Sequence, residues 1–238
     1  MTLLGVGVGG PAGGSSTLGR IGSGYIYADW KGQISYTSPN WNGFQVAGGV
    51  MEGFNNGQQD MGYEAKATYD FAANDVTGRV WLGGLTQKTE GTTSYTSRGV
   101  EVGAKAAYQG FGLVGYYYDG RGLDSNLGTV AAGTSGLFNA AGQKTKDSGG
   151  YVQATFTVPT IGTKLGASYG VSNTVSANGT TFDIENESYI VGAYHPLTKS
   201  LNLVAEYTMQ EIKNSKASGS NPAKVENDTI SLGAILFF

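Results

Sequence analysis

Residues 99–110 read GVEVGAKAAYQG, and within them Glu101 and Lys105 stand four apart while Val100, Val102, Ala104, Ala106 and Tyr108 take every second place. In an extended strand that spacing puts both charges on one face and the apolar side chains on the other. Glu64 and Lys66 repeat the arrangement. The side chains expected to share the charged face are Gln33, Glu64, Lys66, Arg79, Glu101, Lys105, Gln153, Lys164, Glu206 and Gln210. No serine, histidine and acid fall together on one strand face, so nucleophilic catalysis has no machinery to run on and an enzyme is disfavoured. Fixed charges facing water act through their field instead. Opposed charges across a narrow passage orient polar solutes and bias the choice of ion, while the width sets a size limit.

Other chemistry-bearing stretches carry less. GVGVGG at 5–10 looks like a phosphate loop, but no strand-turn-helix context surrounds it, and a plain loop is the better reading. His195, the one histidine, stands beside Pro196 and reads as a turn residue. The acids of 183–187 form either a divalent-cation cluster or, as we prefer, a solvated loop. NGT at 178–180 and NDT at 227–229 match the glycosylation pattern but read as loop residues. Absent cysteine excludes a disulfide scaffold and a cysteine-ligated metal, and no cofactor is expected. A formal net charge of -3 leaves no basic footprint for nucleic acid.

The elements that must position these charges are strands. Gly 40 and Tyr 15 are high, and no long apolar stripe has the helical period. Alternating segments occur at 32–38, 43–52, 61–71, 75–86, 99–109, 111–119, 149–158, 163–173, 187–195, 200–211 and 228–238. Short connections (38–43, 71–75, 108–111, 158–163, 195–200) alternate with long polar ones (53–60, 87–98, 120–148, 174–186, 212–227). A soluble sandwich does not sort its turns by length to opposite ends, whereas a transmembrane β-barrel does. In such a barrel Met61, Tyr63, Ala65, Ala67, Tyr69 and Phe71 face lipid, and Glu64, Lys66, Thr68 and Asp70 face a watery lumen. Tyr36, Trp41, Phe44, Phe71, Tyr108, Phe111, Tyr194 and Tyr207 then suit an interfacial girdle. No run of about 18 apolar residues is present. MTLLGVGVGG lacks the pattern of a signal peptide, so the chain is either cytoplasmic or begins downstream of its true N-terminus.

Three segments carry a family resemblance. ISYTSPNWNGFQVAGGV is similar to a strand, tight turn and G-F strand of the trimeric general-diffusion porins of Gram-negative bacteria. VGAYHPLTKSLNLVAEYT resembles their penultimate hairpin, and LGAILFF their closing strand ending in Phe. The resemblance implies an all-β, transmembrane, antiparallel up-and-down β-barrel in the cell outer membrane, with the eleven strands seen here out of about sixteen. It implies a homotrimer in contact with outer-membrane lipid and lipopolysaccharide, passing small hydrophilic solutes and ions by passive diffusion. Counting back makes 32–38 the sixth strand, so residues 1–31 are expected to be part of the constriction loop and 32–238 the barrel strands. On that reading Met1 is internal and five strands precede it; the rival is a complete twelve-stranded barrel using TLLGVGVGG as its first strand. By matching position, Lys66, Arg79 and Lys105 are candidates for the basic wall, with Arg20 and Asp29 on the loop. The competing class is a plugged structural or adhesive barrel acting through its external loops.

Overall fold

The computed structural model describes residues 24, 32–52, 60–89, 94–123, 144–177, 179, 182–216 and 224–238. Every regular element in it is a strand: β1 (Gln33–Thr37), β2 (Phe44–Met51), β3 (Gly62–Ala73), β4 (Val76–Thr89), β5 (Tyr95–Tyr108), β6 (Phe111–Arg121), β7 (Lys146–Thr157), β8 (Lys164–Val175), β9 (Asp183–Pro196), β10 (Leu201–Asn214) and β11 (Lys224–Leu236). They form one sheet in sequence order, each strand antiparallel to the next. Among the described residues β1 and β11 are its two edges.

Turn chemistry fixes the register. Between β5 and β6 only Gln109 and Gly110 intervene, both at positive φ (44° and 84°), which is the two-residue turn whose twist matches a hairpin. In the β1–β2 connection Gly43 sits at φ 97°, and its N–H donates to Asn40 Oδ1 at 2.6 Å. A Cβ there would lie 2.2 Å from the Asp70 carbonyl oxygen, so only glycine lets the turn approach β3 this closely.

The polarity of the sheet is inverted relative to a water-soluble core. Its more buried face, here called inner, carries Ser168, Ser172, Thr174, Asn186, Ser188, Thr208 and Ser231, all buried. The outer face exposes Leu82, Val102, Leu113, Val152, Val191, Ile230 and Leu232, the last two 74% and 75% accessible. The same face also buries Met51, Tyr118, Ile184, Ile190, Tyr194 and Ile235, with Ile190 and Tyr194 packing against Val204 as a small apolar cluster. An exposed apolar area of this extent needs lipid or a partner surface against it. Among the described residues no helix is long and apolar enough to cross a membrane, which leaves strands as the crossing element.

The strands outrun the expected bounds at one end. Alternation predicts 75–86 and 99–109, whereas β4 continues to Thr89 and β5 starts at Tyr95; β9 begins at Asp183 rather than 187 and β10 ends at Asn214 rather than 211. The connection between β4 and β5 is thus no longer than the opposite turns at 38–43 and 158–163, and length sorting is carried by the other four connections at this end, the longest being residues 122–145. The reason is physical: backbone pairing continues past the point where side chains stop alternating, because both faces meet water there. Fourteen residues of β10 rise roughly 33 Å at a tilt of about 45°, against an apolar band of about 25 Å, so about three to four residues, from Glu211 onward, stand beyond the lipid. Asp183, Glu185 and Glu187 accordingly belong to a strand and not to a loop. Among the described residues no group of acids and histidines is arranged to hold a metal.

Candidate functional site

The inner face is read most directly row by row across the strands. Lys66 on β3 and Glu101 on β5 are both in register with Gly83 on β4. Because Gly83 has no side chain, the two reach across it, and Lys66 Nζ lies 2.8 Å from Glu101 Oε1. A Cβ on Gly83 would meet the Glu101 side chain at 2.9 Å, so glycine is what makes an ion pair over two strand spacings possible. Tyr116 donates its hydroxyl to Glu101 Oε2 at 2.7 Å. Lys66 Nζ also stands 5.6 Å from the centre of the Trp81 ring, within cation–π range. Trp81 lies over Gly103, where a Cβ would clash, and its ring continues through Tyr116 (6.5 Å) to Tyr151 (5.3 Å) as a stacked series.

One level nearer the short turns, Arg79 grips Asp70 with two parallel bonds, Nε to Oδ1 at 2.5 Å and Nη2 to Oδ2 at 2.6 Å. Lys105 is the cross-strand neighbour of Arg79 and is exposed. Lys164, exposed on β8, shares this face near the 158–163 turn. Glu64 is half-buried and faces Gly49, with a Cβ there 3.5 Å from its Oε1. Glu206 also points inward but is only 7% exposed and accepts a hydrogen bond from the Tyr194 hydroxyl. Its carboxylate therefore braces the wall instead of standing free in the lumen.

Several expectations are corrected here. Tyr194 is not in an interfacial girdle: it lies on the inner face, 6% exposed, because it shares parity with Ile190 and Gly192. His195 is the penultimate residue of β9, not a turn residue, and its Nδ1 is 2.9 Å from Thr163 Oγ1. Arg20 and Asp29, expected opposite the basic wall, lie outside the described residues, as does all of 1–31 except Gly24. Gly24 itself is buried against the inner face: its N–H donates to Ser172 Oγ at 2.6 Å, and a Cβ at its φ of 83° would be 2.9 Å from the Gly150 oxygen.

Charge position alone missed the partners. Asp70 was visible as an inward residue but not as the ligand of Arg79, and Trp81, Tyr116 and Tyr151 escaped because aromatics are expected on lipid. Parity with Arg79 for Trp81 and with Gln153 for Tyr151 was the available signal, and β6 offered none for Tyr116. In the polar extension beyond the lipid, on the outer face, Lys213 and Lys224 hold the Glu211 carboxyl down at about 2; Lys224 lies 2.5 Å from it and also bonds Glu226 at 2.6 Å.

The comparisons agree with this geometry. A family model described as Gram-negative porin matches residues 2–215. Among solved structures, OmpT, an outer membrane protein of Vibrio cholerae, is similar at 17% identity and TM-score 0.56, covering 87% of this chain and 64% of that one. Its loop L8 deletion mutant gives 16%, 0.55, 86% and 62%. An anion-selective porin from Comamonas acidovorans gives 19%, 0.56, 87% and 59%. At these identities the likeness speaks for an outer-membrane β-barrel fold, and the chain spans about three fifths of the length of those structures. No curated protein sequence matches.

Proposed function

Since this chain belongs to the Gram-negative porin family and resides in the outer membrane, we propose that it lines a water-filled channel through which small hydrophilic solutes and ions diffuse passively, without catalysis. One observation carries the reading: an inner face that gathers the buried hydroxyls and the tethered charges, backed by an exposed apolar outer face, with the inner charges held on a defined lattice of strand positions. Lys66, Glu101, Asp70 and Arg79 present tethered pairs, Lys105 and Lys164 present exposed cations, and Glu64 adds an acid on the same wall. Tethered pairs lying along the wall make a transverse field that orients dipolar solutes, and the exposed lysines bias the passage toward anions. The contact of Gly24 with Ser172 supports reading residues 1–31, with Arg20 and Asp29, as a constriction segment against that wall. By family likeness the working unit is a homotrimer seated in outer-membrane lipid.

Planar-bilayer recording tests the channel. Stepwise ohmic conductance is the expected result. A folded, inserted protein that gives none, and that admits no sugar in liposome swelling, means a plugged barrel and ends the proposal.

A further inference from the structure

One level of the inner face is a row of rings. Reading across the strands, Trp81 on β4 is in register with Gly103 on β5, Gly103 with Tyr116 on β6, and Tyr116 with Tyr151 on β7. These positions span three strand spacings, about 14 Å. Ring centres follow one another at 6.5 Å and 5.3 Å, with planes only 30° and 23° apart. Gly103 makes the row continuous, because a Cβ there would collide with the indole that lies across β5 in its place. All three rings are half-buried, so each keeps part of its surface open. Lipid on the outer face would take such rings at no cost, whereas on the watery face every open ring surface costs hydrophobic free energy until a ligand covers it.

Planar polar groups bracket the row. Toward the long connections Glu101 accepts the Tyr116 hydroxyl at 2.7 Å, and toward the short turns stand the Arg79–Asp70 pair and Gln153. Both acids are matched by their own cations, Lys66 and Arg79, so the rim offers fixed donors and acceptors on either side of the rings. Rings with polar rims suit a ligand that is apolar on its faces and hydroxylated round its edge. A pyranose with equatorial hydroxyls is such a molecule: its axial C–H groups present weakly positive hydrogens to the negative π-faces, and its hydroxyls project sideways to the rim. Indole and phenol are electron-rich rings, which favours C–H donors over the face of an aromatic anion.

We propose that Trp81, Tyr116 and Tyr151 form a stacking site for short oligosaccharides of glucose-type pyranoses, with Glu101, Arg79 and Gln153 as hydroxyl partners. Ring centres recur along the row, so consecutive sugar units meet consecutive rings. Gly24 reaches the β7 end, a Cβ there lying 3.2 Å from the Tyr151 Cβ, which brings the segment proposed to constrict the passage against the same row. The inference deepens the channel reading by naming a solute class, and it rests on that reading's premise that the inner face is wet.

The test uses the full chain folded in detergent micelles and titrated by calorimetry with maltotriose and, separately, cellotriose, which differ in linkage geometry. Sorbitol, an open-chain hexitol without a ring face, and benzoate are the comparison probes. At least one trisaccharide is expected to bind, and sorbitol to bind about tenfold more weakly or worse. Trp81→Leu and Tyr151→Leu keep apolar volume but remove the π-face, and each should weaken binding about three- to tenfold, whereas Tyr151→Phe keeps the face and should stay within about twofold of the parent. Tyr189→Leu, on the outer face, should bind like the parent. Should Trp81→Leu fail to fold, Tyr151→Leu at the other end of the row carries the same test. Binding of neither trisaccharide, equal binding of sorbitol, undiminished binding by Tyr151→Leu, or displacement of the trisaccharide by equimolar benzoate would each overturn the assignment. Planar-bilayer conductance keeps the two readings apart: a conducting protein that binds neither trisaccharide loses this site and keeps its channel, and a sugar-binding protein that never conducts keeps the site and loses the channel.

Discussion

Glu101→Gln is the most informative single change on the inner wall. It keeps the shape of the side chain, frees Lys66 from its 2.8 Å partner and leaves Lys105 four residues away on the same strand, so the local charge rises by one unit. For an ion passing about 5 Å away in water, one charge amounts to roughly 0.8 kcal/mol, reduced to about 0.5 by screening at 0.1 M salt. That raises local anion concentration about twofold and lowers cation concentration by the same factor, so the anion-to-cation permeability ratio should rise about fivefold. At 1 M salt, where the screening length is about 3 Å, the same arithmetic leaves less than about twofold. The assay is the reversal potential across a bilayer under a salt gradient, at both concentrations. A shift toward cations, no shift at 0.1 M, or a shift of equal size at 1 M would refute the placement of Glu101 in a water-filled passage.

Two further changes probe the wall and its rim. Val152 and Gln153 are adjacent on β7 but point to opposite faces; Val152→Arg should cost about 2–4 kcal/mol in urea unfolding from lipid vesicles, whereas Gln153→Arg should cost little, and equal costs would mean that the faces are misassigned. Glu211 has its folded-state pKa lowered to about 2, so the stability it lends β10 and β11 is present above the unfolded carboxyl value, near 4.3, and is lost as pH falls through about 2. Amide exchange at the ends of these strands should therefore accelerate between those limits in the parent, and lose that pH dependence in Glu211→Gln.

The alternation of single strands was enough to assign most faces, because lipid on one side and water on the other impose opposite demands on neighbouring residues. It failed where that contrast vanishes. Asp183 to Glu187 read as loop because nothing there faces lipid, yet backbone pairing with β8 and β10 carries straight through. Tyr194 was misjudged because an aromatic near a strand end suits the interface, and only its pairing opposite Lys164 reveals that it turns inward. The ion pair of Lys66 and Glu101 depends on the register of two residues 35 apart on strands that are not themselves neighbours, which no local pattern encodes.

The paired strand ends that project past the lipid separate two tasks that a β-sheet in a membrane would otherwise perform with the same residues. The wall is built in the apolar band, while the connection 122–145 springs from stems, Arg121 and Lys146, that stand directly opposite each other in register. Length and composition can change in that connection without any strain reaching the residues that face lipid or the inner wall. Segments joined at that level are in effect interchangeable attachments on a fixed socket, free to diverge while the paired strands beneath them keep their register.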